Sequence, residues 1–425
     1  NGATTSTITV GAGTYSVRTL NAEGCTSAVS GEVVITQQIC NQTFTGVGNL
    51  NSNTNWSTGT MPISNTDVII DGSLTINSNY SLRNITVNTL DTIKIPTGIT
   101  LTVTGNLANE GVITGLGTLI ISGANNQSIG GGTISNLTVS NGQTVGLSAA
   151  TAITGTLTLG ANTTFDLNNN ALTLNSTASE TARLAPIPSG ASLIAAGNFT
   201  VQRWLNPSNI RRASNATGNY YFIGPVVQNQ TVGLWNSVSP YGAETFYQAT
   251  SSGSRFYFFN TAANGWRKPT SLSQALPTGT GVQVWFGAQG FFTSGRTTWS
   301  ATGTPVTGTF NLPLASGVSG FNLISNPYPS TIDWDSPSWT KTGIANAIYF
   351  YDWVNQRYRT YVNGIGVNGG DRYLPTAQGF FVNATTTSPV LTAREDIKVS
   401  NQVAMQRVES NVAGLIRLSI NNNGV

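Results

Sequence analysis

Five polar side chains recur just ahead of short apolar runs: Asp71, Asp91, Glu110, Gln127 and Gln143. Their spacings of 20, 19, 17 and 16 residues suit one coil each of a stacked fold, which would set them on one face. Carboxylates one coil apart, about 5 Å, repel unless a cation or water screens them. Asp71, Asp91 and Glu110 are therefore candidate calcium ligands, calcium being bound by several oxygens. A β-helix lyase would use the same face, with Arg83 or Lys94 as base. A solvated turn corner, where Asp and Asn are favoured, accounts for the same ladder. Asp333 and Asp335, in TIDWDSP, with Asp352 and Asp371, form a second acidic group. Paired carboxylates can do glycosidase acid–base work, but these two flank Trp334 and equally suit a structural role. Trp266, Trp299, Trp339, Trp353 and Tyr358 are candidates for stacking on sugar rings. Alternating aromatics in strands are also common cross-strand and core pairs. No catalytic residue and no cofactor is assigned.

Composition narrows the chemistry further. None of the 425 residues is His, which excludes Ser-His-Asp triads, Cys-His dyads and His-ligated metals. Nineteen basic and 16 acidic residues leave a net charge of +3. They are scattered, so no nucleic-acid footprint is expected. No apolar run reaches the length of a membrane-spanning helix. Cys25 and Cys40 can pair, closing a loop of about 15 residues worth roughly 3 kcal/mol; Cys25 can equally pair with a residue upstream.

The elements that must carry these residues read as all-β. Charged residues are only 8% of the chain, against about 25% in typical domains. Short runs alternate Val, Ile, Leu or Phe with Thr, Ser and Asn between Gly and Asn turns, as strands do. Leu101, Leu119, Leu137, Leu157 and Leu172 recur at 18, 18, 20 and 15 residues. A second series, Ile93, Val112, Ile129, Val145 and Phe165, runs beside them. A period near 20 with two strands per unit predicts a solenoid, a parallel β-helix over 39–199, with an antiparallel sandwich as the alternative. Trp56, ahead of the first coil, suits an apolar lid.

From residue 200 the chain becomes aromatic-rich and duplicated. GNYYFIGPVV at 218–227 matches GFNLISNPYP at 320–329. RFYFFNTAANGWR at 255–267 matches AIYFYDWVNQRYR at 347–359. ALPTGTGVQVWF at 275–286 matches YLPTAQGFFVNA at 373–384. Two equivalent units sharing a core are expected, with Phe222 on Leu323, Tyr257 on Tyr349 and Pro277 on Pro375. This makes 200–425 a duplicated β-sandwich region, truncated at its C-terminus. Residues 1–38 are strand-rich, and the two ends read as cuts within a longer protein.

Several motifs carry a resemblance. GTYSVRTLNAEGCTS resembles the end of immunoglobulin-like repeats in large surface adhesins of the Bacteroidota. Trp56, Gly59, Pro62 and Asp67 stand at the spacing of a motif that resembles the opening of β-helix modules in secreted proteins of that phylum. FNLISNPYPSTIDWD, IYFYDWVNQRY and LPTAQGFFV resemble a module near the C-termini of type IX secretion cargo, and VQRWLNPSNIRRASNATGNYYFIGPV resembles the start of that module. Asp91-Thr92-Ile93 fits a three-residue O-glycosylation pattern of the same group. The resemblance implies a non-enzymatic segment of a secreted cell-surface adhesin. Its partners would be the type IX machinery during export and extracellular glycans or surfaces, with a role in gliding. A β-helix polysaccharide lyase or tailspike-like depolymerase, and a structural filament subunit, are the rival readings.

Overall fold

In a run such as Thr118–Ile121, Leu119 and Ile121 point inward and are buried, while Thr118 and Ile120 face outward. A strand this short cannot bury its apolar face alone, so each pairs in parallel with a run one coil away. A computed structural model describes residues 13–22, 24–35, 41–205, 217–237, 256–288, 298–352 and 357–405. It is a parallel β-helix joined to antiparallel sheets. Leu101, Leu119, Leu137 and Leu157 stand opposite one another in register, all fully buried. Val103, Ile121, Val139 and Leu159 form the next inward row.

Three sheets wrap this core, one strand of each per coil, rather than the two expected from the repeat. The first runs from Tyr80–Leu82 to Arg183–Leu184 and is six strands deep, roughly 24 Å at about 4.8 Å per step. The second stacks Ile85–Val87, Leu107–Asn109, Gln127–Gly130, Thr144–Leu147, Thr164–Asp166 and Ser192–Ile194. The third stacks Thr92–Lys94, Val112–Thr114, Thr133–Ile134, Thr151–Ile153, Leu172–Leu174 and Phe199–Trp204. The long strand Val68–Thr75 begins both. The second apolar series therefore mixes two stacks. Ile129, Val145 and Phe165 belong to the second sheet. Ile93 belongs to the third, where Ile113 and not the exposed Val112 is its inward neighbour. Leu172 also lies in the third sheet, between Thr151 and Phe199, and Leu184 takes its expected place over Leu157. Third-sheet strands as short as Thr133–Ile134 leave little periodic signal.

An open solenoid end would expose strand edges and core. At the first coil, Gln42–Asn49 covers Val68–Thr75 in parallel. Trp56 closes it, buried edge-on against Phe44 at 5.0 Å with its indole N–H donated to Leu50 O at 2.8 Å. At the far end, Phe199–Trp204 pairs antiparallel with Thr298–Gly303. This strand straddles the boundary expected at 199/200, and one apolar core runs through it from Phe44 to Phe256 and Trp299. Near the N-terminus, Gly13–Tyr15 pairs antiparallel with Val33–Ile35, and Val17, Leu20, Val33 and Val34 are exposed.

The duplication is visible in the strand order. The first unit's sheet runs Thr217–Ile223, Val282–Ala288, Phe256–Asn260, Gly265–Arg267. The second runs Phe321–Ser325, Gly379–Asn383, Ala347–Asp352, Arg357–Val362, then an added edge, Ile365–Val367. The registers agree as well. Phe222, Gln283 and Tyr257 share one row in the first sheet; Leu323, Phe381 and Tyr349 share the matching row in the second. Pro277 and Pro375 open equivalent turns, their carbonyls accepting from Thr280 N–H at 3.0 Å and Gln378 N–H at 3.1 Å. The units do not share one core, contrary to expectation. The first unit's inner face continues the solenoid core. The second unit buries Trp334, Phe350 and Phe380 in its own. They meet at a seam formed by Phe222, Leu323 and Phe381.

Candidate functional site

The connections between second-sheet and third-sheet strands form one corner of the solenoid. Asp71, Asp91 and Glu110 fall at successive levels of it. Asp91 is held above the usual carboxylate range by partial desolvation and then by the charge of Asp71. Glu110 accepts a hydrogen bond from the Thr89 hydroxyl at 2.9 Å. The rest of the expected ladder lies elsewhere. Gln127 begins one second-sheet strand and Gln143 precedes the next, at a different corner. Gln127 is buried and caps backbone there, accepting from Gly123 N–H at 2.8 Å and donating to Val103 O at 3.2 Å and to Gly105 O. The described residues bring no group of three or more acidic or Cys side chains within reach of one cation.

Arg83 is not placed as a base. Its Nε and Nη2 each donate to Asp67 at 2.6 Å, which holds its proton more tightly. Asp67 also accepts from Asn84 N–H and Nδ2, and these bonds, Arg83 first, hold its carboxyl below the usual range. Lys94 points outward from its strand.

Asp333 and Asp335 converge on one guanidinium. Both oxygens of Asp333 accept from Arg372, and Asp335 lies 3.5 Å from it. Asp335 also accepts the Tyr361 hydroxyl; burial, then this carboxylate, pushes that phenol up to about 12. Asp352 is buried 3.8 Å from Arg357. Asp371 accepts from Tyr373 N–H at 3.3 Å. Asp333, Asp335, Arg372 and Tyr361 thus form a polar network that ties the strand Thr331–Asp333 to the second unit's strand Arg357–Val362.

The five aromatic candidates separate by exposure. Trp299 is fully buried, packed edge-on against Trp235 at 4.8 Å, and Trp339 is buried beside Trp334 with its N–H on Asp333 O. Neither can present a ring to a ligand. Trp353 lies outside the described residues, as does Cys40; Cys25 is an exposed thiol. Trp266 is 42% exposed and Tyr358 is 55% exposed.

These two line one cleft of about 530 Å³ at the seam between the units. Phe259 accompanies Trp266 from the first unit; Phe321, Tyr349 and Phe381 accompany Tyr358 from the second. The strands dictate this. In Phe256–Asn260, Phe256 and Phe258 face the core, so Tyr257 and Phe259 face the other side. In Ala347–Asp352, Ile348 and Phe350 face the core, so Tyr349 and Tyr351 do the same. Trp266 stands opposite Phe259 in its hairpin, and Tyr358 stands opposite Tyr351 in the equivalent hairpin. The exposed rings are thus counterparts in the two copies. Phe381 lies 4.8 Å from Phe259 and 6.2 Å from Trp266, in edge-to-face geometry. Asn264 and Thr360 add polar groups to the lining. Reading single residues for exposure misses Phe259, Phe321, Tyr349 and Phe381; the in-out alternation within the matched motifs carries their signal.

Comparison of the chain with protein-family models, with characterised proteins and with solved structures gives no match. No helix among the described residues is long and apolar enough to cross a membrane.

Proposed function

We propose that this chain is a non-enzymatic segment of a large secreted adhesin, with the β-helix as stalk and the seam cleft as contact for an uncharged glycan. The observation that carries this reading is the pairing of Trp266 and Tyr358, equivalent positions of the two copies, as exposed rings in one aromatic cleft. Aromatic faces stack on the apolar faces of sugar rings, and Asn264 and Thr360 can hydrogen-bond hydroxyls at the margin. The acidic side chains support the same reading, because Asp333 and Asp335 are engaged by Arg372 and Tyr361. The motif resemblances extend it to the cell surface of a Bacteroidota bacterium, with export by a type IX system and a role in gliding.

Titration calorimetry with neutral polysaccharides tests the contact. Trp266→Ala and Tyr358→Ala should each weaken binding about tenfold, roughly 1.4 kcal/mol per ring, with the far-ultraviolet circular dichroism of the folded chain retained. Absence of binding by the unmodified chain, or binding indifferent to both substitutions, would overturn it.

A further inference from the structure

Arg203 lies on Phe199–Trp204, the strand that ends the solenoid, and alternation turns it inward. It is 5% exposed. Its Nη1 donates to Thr181 Oγ1 at 2.8 Å and its Nη2 to Val403 O at 3.1 Å; its Nε is buried without an acceptor. A guanidinium has five N–H donors, so two are used here. No carboxylate among the described residues forms an ion pair with it. Burial pulls its pKa down to about 10, which leaves it charged at neutral pH. Buried charges are ordinarily paired, and a guanidinium suits a planar carboxylate held through two N–H groups.

Arg203 is one of the residues that line a pocket of about 250 Å³ between the last coil, the first unit and residues 402–405. That is below the range of about 300–1,000 Å³ for drug-sized ligands, which limits the occupant to one small residue. Trp204, Tyr221, Thr177 and Ser179 line it as well, the Thr177 hydroxyl being held by Ser179 and the Glu180 backbone. Glu180 is exposed on the rim. We propose that this pocket binds an acidic monosaccharide, with its carboxylate on Arg203 and its ring against Trp204. The site is separate from the seam cleft and does not depend on it.

Calorimetry on the full chain at low, fixed ionic strength tests the proposal, with glucuronate, glucose and acetate as probes. Glucuronate should bind, and glucose and acetate should bind at least tenfold more weakly. Glu180→Gln, an exposed change that leaves the fold intact, should tighten glucuronate about threefold by removing a like charge from the rim. Arg203→Lys should weaken it at least tenfold, and Trp266→Ala should leave it unchanged. Equal binding of glucose or acetate, or no tightening in Glu180→Gln, would overturn the proposal.

Discussion

The two sheet units share strand order and register but differ in what lies beneath them. The first lays Phe256, Phe258, Val282 and Val284 onto the core that begins at Phe44, and so completes the solenoid. The second closes over its own Trp334, Phe350 and Phe380. One strand order therefore serves as an end cap in the first unit and as a self-supporting body in the second. The difference resides in the inner face, while the outer faces stay alike enough to build one aromatic cleft between them.

This contrast predicts different unfolding behaviour, and the largest effects probe it directly. Phe380→Ala should cost about 3–5 kcal/mol and lower the second unit's transition, leaving amide protection in the solenoid near its original level. Leu119→Ala should cost about 2–5 kcal/mol, and hydrogen exchange should show the loss in the solenoid and the first unit together. Uniform loss of protection throughout the chain in both variants would mean that the two cores unfold as one.

The solenoid is legible in the sequence because its inward rows repeat the same side chain: Leu101, Leu119, Leu137 and Leu157 occupy one register in four coils. The third strand is hard to read because a pair such as Thr133–Ile134 is too short for alternation to register. The duplication is legible for the converse reason, long aromatic strands matched in order. The site is legible only in part. Trp266 and Tyr358 could be named as aromatic, but Trp299 and Trp339 carry the same chemistry and are buried, Trp299 by Trp235 from a distant element and Trp339 by a turn that folds it back on Trp334. Arg203 gave no signal at all, because its isolation depends on Thr181 and Val403 arriving from separate elements.

A smaller effect compares the capped first coil with the rest. Asp67 fastens that coil to the next through Arg83 and Asn84, and its carboxyl is held below its usual value, Arg83 being the main cause. A carboxylate depressed in the folded state contributes stability above its unfolded pKa, near 3.8, and loses it as pH falls through the lower folded value. Asp67→Asn should cost about 1.5–3 kcal/mol at neutral pH, the scale of hydrogen bonds to a charged group. Its cost should shrink below pH 4. A cost independent of pH would show that the side chain acts by shape and not by charge.

The smallest effect tests the equivalence of the two copies at one residue pair. Gly279 and Ala377 follow Pro277 and Pro375 by two positions and both adopt positive φ, +79° and +65°. Their carbonyls accept equivalent seam hydrogen bonds, from Ser325 N–H at 2.8 Å and Gly224 N–H at 3.0 Å. A left-handed conformation costs an L-residue about 1–2 kcal/mol, which Ala377→Gly would relieve. Against this stand the lost methyl, about 0.8 kcal/mol, and the added freedom of the unfolded chain, about 0.4–1 kcal/mol. These nearly cancel, so Ala377→Gly should lie within about 1 kcal/mol of the unmodified protein. Gly279→Ala should be the costlier change, because its new Cβ would add a contact of 2.9 Å with Phe310 to the same backbone strain. Chemical denaturation of the two variants measures both, and a cost for Ala377→Gly equal to or above that for Gly279→Ala would show that the two turns are not held alike.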